Sequence, residues 1–391
     1  MQVSRTSRFR HVALALALVA VLAVCVVGAV PAGAANPKPA AADAALDKAL
    51  DKIVARKDGP PGIVVVVQRG AEPVLHSAGT SVVGSTTPIQ LDDHLRVASV
   101  AKAFSGAVAT SVVASGELTL DSTIGEKLPT LPQAWAAVTL GQLLQHTSGL
   151  PDFSKAQAFQ DALKASLLVP PPHAQLLSYV ENDPLLFEPG SKYKYSNSDN
   201  ITVSLMVEAA TGHTYEDELA SRVLQPLGLT GTSLPNDAAL PAPFVHGYAL
   251  DPPAAPEDVS SVFAAGWTWS SGGVVSTPTD ANNFVRGYVA GKITDAATRK
   301  AQFTFRKGHS EPPGPGTNSA GMALFRYQTP CGTVYGHTGN TAGFTHFIAA
   351  SNDGSRSVSV AVNAQIIPDS NPKRFGELRS IFGLAVCAAM A

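Results

Sequence analysis

Three features of the 391-residue chain predict an α+β fold: β-branched runs gathered at its two ends, a helical and loop-rich middle, and apolar helices flanking the strands. The flanking helices are expected to cover an antiparallel sheet, and the middle to form an all-helical insertion lobe. Composition fits a globular enzyme, with 45% apolar and 15% charged residues, and excludes a disordered tail, a collagen-like chain or a Cys-rich scaffold. With 28 basic against 30 acidic side chains the formal charge is -2, and no basic block lies beyond the first ten residues. Nucleic acid is therefore not an expected partner.

The first element is a leader. Arg5, Arg8 and Arg10 precede an uncharged run from Val12 to Val30, and Ala32, Gly33, Ala34 and Ala35 follow. This is the order of a secretory signal peptide over residues 1–34; the alternative is an uncleaved membrane anchor. Cys25 follows Val24, which is too bulky for the lipid-attachment pattern. Cleavage removes three Arg and no acid, taking the charge from -2 to -5. The mature protein is expected to be secreted and monomeric, with no membrane partner.

Leu46, Leu50, Ile53 and Val54 then recur at helical spacing before Asp58-Gly59-Pro60-Pro61-Gly62 stops the helix. Ile63 to Val67 and Pro73 to Ala78 read as a hairpin. Strand signals return at Met322 to Tyr327, Thr333 to Gly336, Phe344 to Ala350 and Val358 to Val362, and the sheet expected from these six stretches is antiparallel and five-stranded. After Pro372 a helix carries Phe375, Leu378, Ile381 and Phe382 on one stripe. The sandwich lobe is thus assigned to 35–109 and 270–391, and the helical lobe to 110–269. Cys331 and Cys387 are the only Cys of the mature chain, an even count that reads as one disulfide in an exported protein, or alternatively as two buried thiols. Two Cys without clustered His cannot complete a tetrahedral metal site, so neither metal nor cofactor is expected.

Ser-x-x-Lys occurs at Ser99, Ser191 and Ser370. Ser191 follows Pro189-Gly190 in a turn and Ser370 has Pro372 within its match, whereas Ser99 opens the apolar helical stretch Val100 to Val113. There the spacing puts Ser99 and Lys102 on one face, where desolvation would make Lys102 a proton acceptor. Tyr195-Ser196-Asn197 offers a phenol for proton traffic and an amide to orient a substrate carbonyl. His337-Thr338-Gly339 lies on a strand candidate whose glycine would let a substrate backbone approach.

In this order the three stretches resemble the motifs of the penicillin-recognising serine hydrolases, in the branch of exported D-alanyl-D-alanine carboxypeptidases and class C β-lactamases. Leu143-Leu144-Gln145-His146-Thr147-Ser148-Gly149-Leu150 and Glu188-Pro189-Gly190 are similar to further stretches of that family. The resemblance implies a β-lactamase/transpeptidase-like fold and an acyl-enzyme on Ser99. Lys102 and Tyr195 would be the proton-transfer pair and Asn197 the orienting amide. His337 would stand where class C β-lactamases carry Lys, titrating near neutrality so that activity falls in acid. The amides of Ser99 and Asn340 would form the oxyanion hole, with Thr338 and Gly339 beside them and Trp267 and Trp269 as pocket wall. Two departures bear on substrate: Asn340 replaces a usual Thr, and Phe325 aligns with an Arg that meets a terminal carboxylate, with Arg326 next door. Ser198-Asp199-Asn200 spells a class A β-lactamase motif, read here as coincidental. The leading expectation is a D-alanyl-D-alanine carboxypeptidase acting on peptidoglycan stem peptides, with β-lactams as covalent ligands. The alternatives are a class C-like β-lactamase, an esterase or a D-amino-acid amidase on the same scaffold, or a non-catalytic cell-wall binding protein.

Overall fold

The computed structural model describes residues 38–391, so the leader lies outside the described residues. The helix Pro39–Val54 buries Leu46, Leu50 and Ile53 along one side. All seven residues of the strand Gly62–Gln68 are buried, because both faces of the sheet are covered. Ile63, Val65 and Val67 pack with those helical residues and with Phe375, Leu378 and Phe382 of the helix Pro372–Met390. Val64 faces the opposite core, which contains Phe104 and Val108. The strands at the chain ends thus become the middle of a three-layer arrangement.

Among the described residues the sheet has eight antiparallel strands rather than the five expected: all six stretches named above pair, and two more join them. Their order is Pro73–Gly79, Gly62–Gln68, Ser357–Val362, Phe344–Ala350, Gly332–Thr341, Phe325–Thr329, Thr317–Ala320 and Arg306–Lys307. The last two are short and polar and attach at one edge through backbone pairing, which leaves no apolar alternation to read. The stretch read as one strand from Met322 begins only at Phe325, since Ala323 sits in the left-handed region at φ 52°.

The helix Ala101–Ala114 runs between the sheet and the helical middle, buried without interruption from Ala101 to Thr110. It packs against the helix Asn197–Thr211, the short helix Trp269–Gly272 and the strand Gly332–Thr341. Gly106 permits the close approach of Ala323, whose Cβ lies 2.0 Å from where a Cβ at Gly106 would stand. Both lobe boundaries read from sequence, 109/110 and 269/270, fall inside helices that join the two parts.

Cys331 and Cys387 are bonded, with Cα atoms 5.0 Å apart. The bridge ties the terminal helix to the start of the strand that carries His337. By loop closure over a separation of 56 residues, reduction should cost about 4 kcal/mol of stability. The check is thermal unfolding with and without reductant, where an unchanged midpoint would rule out a stabilising bridge.

Candidate active site

Ser99 sits in a tight 3-10 turn, Ala98–Val100, that leads into the helix Ala101–Ala114. Ala98 has φ 53°, a costly conformation for a residue with a Cβ, of the kind that gathers where a side chain must be aimed. Gly339 makes room for this turn: a Cβ there would meet the Val97 carbonyl at 2.2 Å and the Ser99 nitrogen at 3.2 Å. The glycine of the third motif therefore admits the backbone of the turn that carries Ser99, where the sequence suggested a substrate backbone.

One helical turn on, the Lys102 ammonium donates to Ser99 Oγ at 3.2 Å and to the Ser271 carbonyl at 2.6 Å. Lys102 is wholly buried. Desolvation pulls it down to about 7, against the carboxylates of Asp152, Glu311 and Asp199, which favour the charged form. A lysine so placed is neutral for much of the physiological range and can take the Ser99 proton.

Tyr195 comes from the loop before the helix Asn197–Thr211, and Lys102 Nζ lies 5.1 Å from its ring centroid. Its phenol is buried and lies outside normal hydrogen-bond limits of any partner, yet Ser99 is near enough to favour its ionised form. Burial outweighs that effect and holds the phenol well above its ordinary range. Tyr195 therefore begins as a neutral proton donor.

Asn197 lines the same cleft but is committed differently from the expectation. Its Nδ2 donates to both oxygens of Asp152 at 3.2 Å and to Ser154 Oγ at 2.8 Å. Only its amide oxygen is left for a substrate, as an acceptor for an N–H rather than a donor to a carbonyl.

His337 also differs. Its ring is buried, packs edge-on against Phe325 with centroids 5.0 Å apart, and places Nδ1 2.5 Å from the Thr338 carbonyl. Desolvation drives the imidazolium down to about 3, against that carbonyl bond. It does not titrate near neutrality, so the acid limb expected from it needs another source. Thr338 Oγ1 donates to the Pro312 carbonyl and ties the strand to the 308–316 loop.

A cleft opens beside Ser99, walled by Phe153, Phe159, Leu163, Leu167, Phe263 and Trp267 and floored by Ser99, Asn197, Ser271 and Asn340. Ser99 and Asn340, the expected oxyanion pair, thus face one space. Trp267 takes the wall position and donates its indole N–H to the Ser166 carbonyl. Trp269 does not: it is buried elsewhere, stacked on His173 and bonded to Glu216. Arg326 is not among the cleft residues either; its guanidinium covers Phe305 at 4.9 Å and donates to Ser319 Oγ. Along this strand Phe325 and Tyr327 face the terminal helices, whereas Arg326, paired with Tyr335, lies on the face covered by the helix Ala101–Ala114, where Phe305 and Ser319 hold its guanidinium outside the cleft. Ser191 and Ser370 bond to nearby carbonyls at the surface. Asp199 and Asn200 lie beneath the site, bonded to His146, Ser148 and Ser105.

Asp152, Ser154, Ser271 and Glu311 were not legible as site residues. Each reaches the site through a loop or a backbone carbonyl, with no spacing relation to Ser99. His146 lies in a stretch that carried the resemblance but no chemical role.

Fold and site define a serine hydrolase, with the Ser-x-x-Lys pair Ser99 and Lys102 as its candidate nucleophile and base. The chain belongs to the Beta-lactamase family, whose profile matches residues 46–380. It is 31% identical over 196 residues to a D-aminopeptidase of Brucella anthropi, a match spanning 50% of this chain and 37% of the relative. It is 26% identical over 196 residues to penicillin-binding protein 4* of Bacillus subtilis, spanning 49% of this chain and 42% of that one. The matches therefore span less than half the length of these curated relatives. A D-stereospecific amidohydrolase from Streptomyces sp. superposes with a TM-score of 0.73 at 26% identity, covering 83% of this chain and 94% of the other.

Proposed function

We propose that the protein hydrolyses the amide bond of apolar D-amino-acid amides or short peptides through an acyl-enzyme on Ser99. This displaces the carboxypeptidase expectation in favour of the amidase alternative. The observation that carries it is the lining of the cleft, where no described residue is charged. A terminal carboxylate seated there would lose its water without gaining a cation. Lys155, one residue beyond the lining Ser154, is already engaged by Asp152 at 3.7 Å and Glu311 at 3.8 Å. A large apolar side chain, by contrast, finds an aromatic wall. The D configuration is taken from the similar D-aminopeptidase and D-stereospecific amidohydrolase.

In this reading Lys102, neutral, takes the proton of Ser99 as Oγ attacks the carbonyl, and the Ser99 and Asn340 amides receive the developing negative charge. Tyr195 passes a proton to the leaving nitrogen and takes one back from the Lys102 ammonium as the amine departs; water then gives a proton to neutral Lys102 as it attacks the acyl-enzyme, and that proton returns to Ser99 Oγ as the acid leaves. β-Lactams are proposed as covalent ligands of the same serine. Export is proposed from the leader and is consistent with the Cys331–Cys387 bridge. The test is release of ammonia from D-phenylalanine amide and its L isomer, with an intact-mass search for the acyl adduct; turnover of neither amide would reject the reading.

Because the base must be deprotonated, kcat/KM should rise as pH increases through about 7, the value to which burial brings Lys102. His337, held near 3, stays neutral across that interval. The acid limb should therefore keep its position in a His337→Asn variant. A limb that moves with this substitution would return the titration to the histidine.

A further inference from the structure

Behind Tyr195, away from the cleft, lies a buried group that the proton transfers do not use. His146 Nδ1 is 2.8 Å from Asp199 Oδ2, and Ser148 donates its hydroxyl to Oδ1. Asp199 is fully buried and His146 nearly so. The close carboxylate places the ring proton on Nδ1, so this nitrogen donates. The His146 ring lies against the Tyr195 ring, with centroids 4.5 Å apart and planes tilted by 36°. Its carbonyl grips the same loop by accepting the Lys194 N–H at 2.9 Å, and the Ser196 nitrogen lies 3.5 Å from Nδ1, a contact without a hydrogen bond because that ring nitrogen carries its proton toward Asp199. His146 thus touches the residue on each side of Tyr195 and the phenol ring itself. It does so from φ 55°, a conformation that a non-glycine residue holds only when its surroundings demand it.

We infer that His146, braced by Asp199, is a positioning residue that fixes the Tyr195 phenol between Ser99 and Lys102. The inference rests on the acyl-enzyme reading of Ser99. Elsewhere around the ring, Lys102 Nζ lies 5.1 Å and the His337 ring 6.4 Å from its centroid, and Tyr195 shares a buried apolar cluster with Phe325. The phenol has no firm hydrogen bond of its own to hold it. Its place comes from packing on the ring and from the hold on its neighbours in the chain, and His146 contributes to both. A displacement of about 1 Å in a proton-transfer group can cost on the order of 100-fold in rate.

The informative variant is His146→Asn, because Asn tolerates the left-handed backbone and keeps a donor for Asp199 while removing the ring behind Tyr195. Expected with D-phenylalanine amide is a fall in kcat of about tenfold to 100-fold at unchanged KM, with a thermal midpoint near that of the parent. The same substitution in a Tyr195→Phe background should cause no further loss, because its whole effect passes through the phenol. Full kcat in His146→Asn, or an equal loss with and without the phenol, would overturn the inference. Should His146→Asn not fold, Asp199→Asn is carried through the same cycle and compared on the alkaline plateau, where Lys102 is neutral and the charge that Asp199 exerts on it no longer affects the rate. Labelling of the parent protein by a fluorophosphonate separates the two levels. An adduct on Ser99 upholds the underlying reading whatever the cycle gives, and its absence overturns both.

Discussion

Replacement of Ser99 by Ala should abolish covalent labelling by a β-lactam or fluorophosphonate and lower amide turnover by about 10⁴-fold or more, the scale seen when the nucleophile of a serine hydrolase is removed. Lys102 and Tyr195 are arranged around one oxygen, Ser99 Oγ, and have nothing to activate once it is gone. The fold should survive, because Ser99 is only partly buried and the turn is held by Ala98 and Val100, which are buried, and by the approach of Gly339. The controls are built into the sequence. Ser191→Ala and Ser370→Ala carry the same Ser-x-x-Lys pattern but touch only nearby carbonyls, and both should keep parental activity. An adduct that persists in Ser99→Ala, located by peptide mass, would move the nucleophile elsewhere. Equal losses in all three variants would point to general destabilisation instead.

What the sequence disclosed divides along a physical line. Local periodicity exposed the terminal helices, the hairpin and the inner strands, because Leu46, Leu50, Ile53 and the run from Ile63 to Val67 are selected by burial at fixed spacing. The edge strands Thr317–Ala320 and Arg306–Lys307 carry no such signal, since backbone pairing alone recruits them. Ser99 and Lys102 were legible because one helical turn relates them. Tyr195 and His337 came from the motif resemblance, which placed them near Ser99 without fixing their state. That state depends on neighbours distant in sequence: Asp152 occupies the donor of Asn197, and Phe325 with the Thr338 carbonyl turns His337 into a buried neutral ring. Arg326 shows the same limit in a single residue. Its position along the strand was evident, but its face followed from register, and one step in a strand reverses the side on which a side chain emerges.

Discrimination between an amide and a free terminal carboxylate should be large and should favour the amide. Taking a carboxylate from water into a cleft lined by Phe153, Phe159, Phe263 and Trp267 leaves its charge unpaired. An effective penalty of about 3 kcal/mol is at the lower end for an uncompensated buried ion. Converted at 1.36 kcal/mol per decade, this is about 150-fold in kcat/KM. A neutral amide at the same place loses less and can donate an N–H to the Asn197 oxygen, whose own N–H groups are occupied by Asp152 and Ser154. The field nearby adds to the preference, since Asp152 and Glu311 both act on Lys102 as negative charges. D-Phenylalanine amide should therefore be turned over at least two orders of magnitude more efficiently than a diacylated Lys-D-Ala-D-Ala peptide. Amidation of that peptide's terminal carboxylate should recover part of the difference, because it removes the charge and leaves the scissile bond unchanged. A preference for the free carboxylate, or no gain on amidation, would mean that a cation reaches the leaving group after all. Arg326 would then have to leave Phe305 and Ser319 and swing into the cleft, and the carboxypeptidase reading would regain its place.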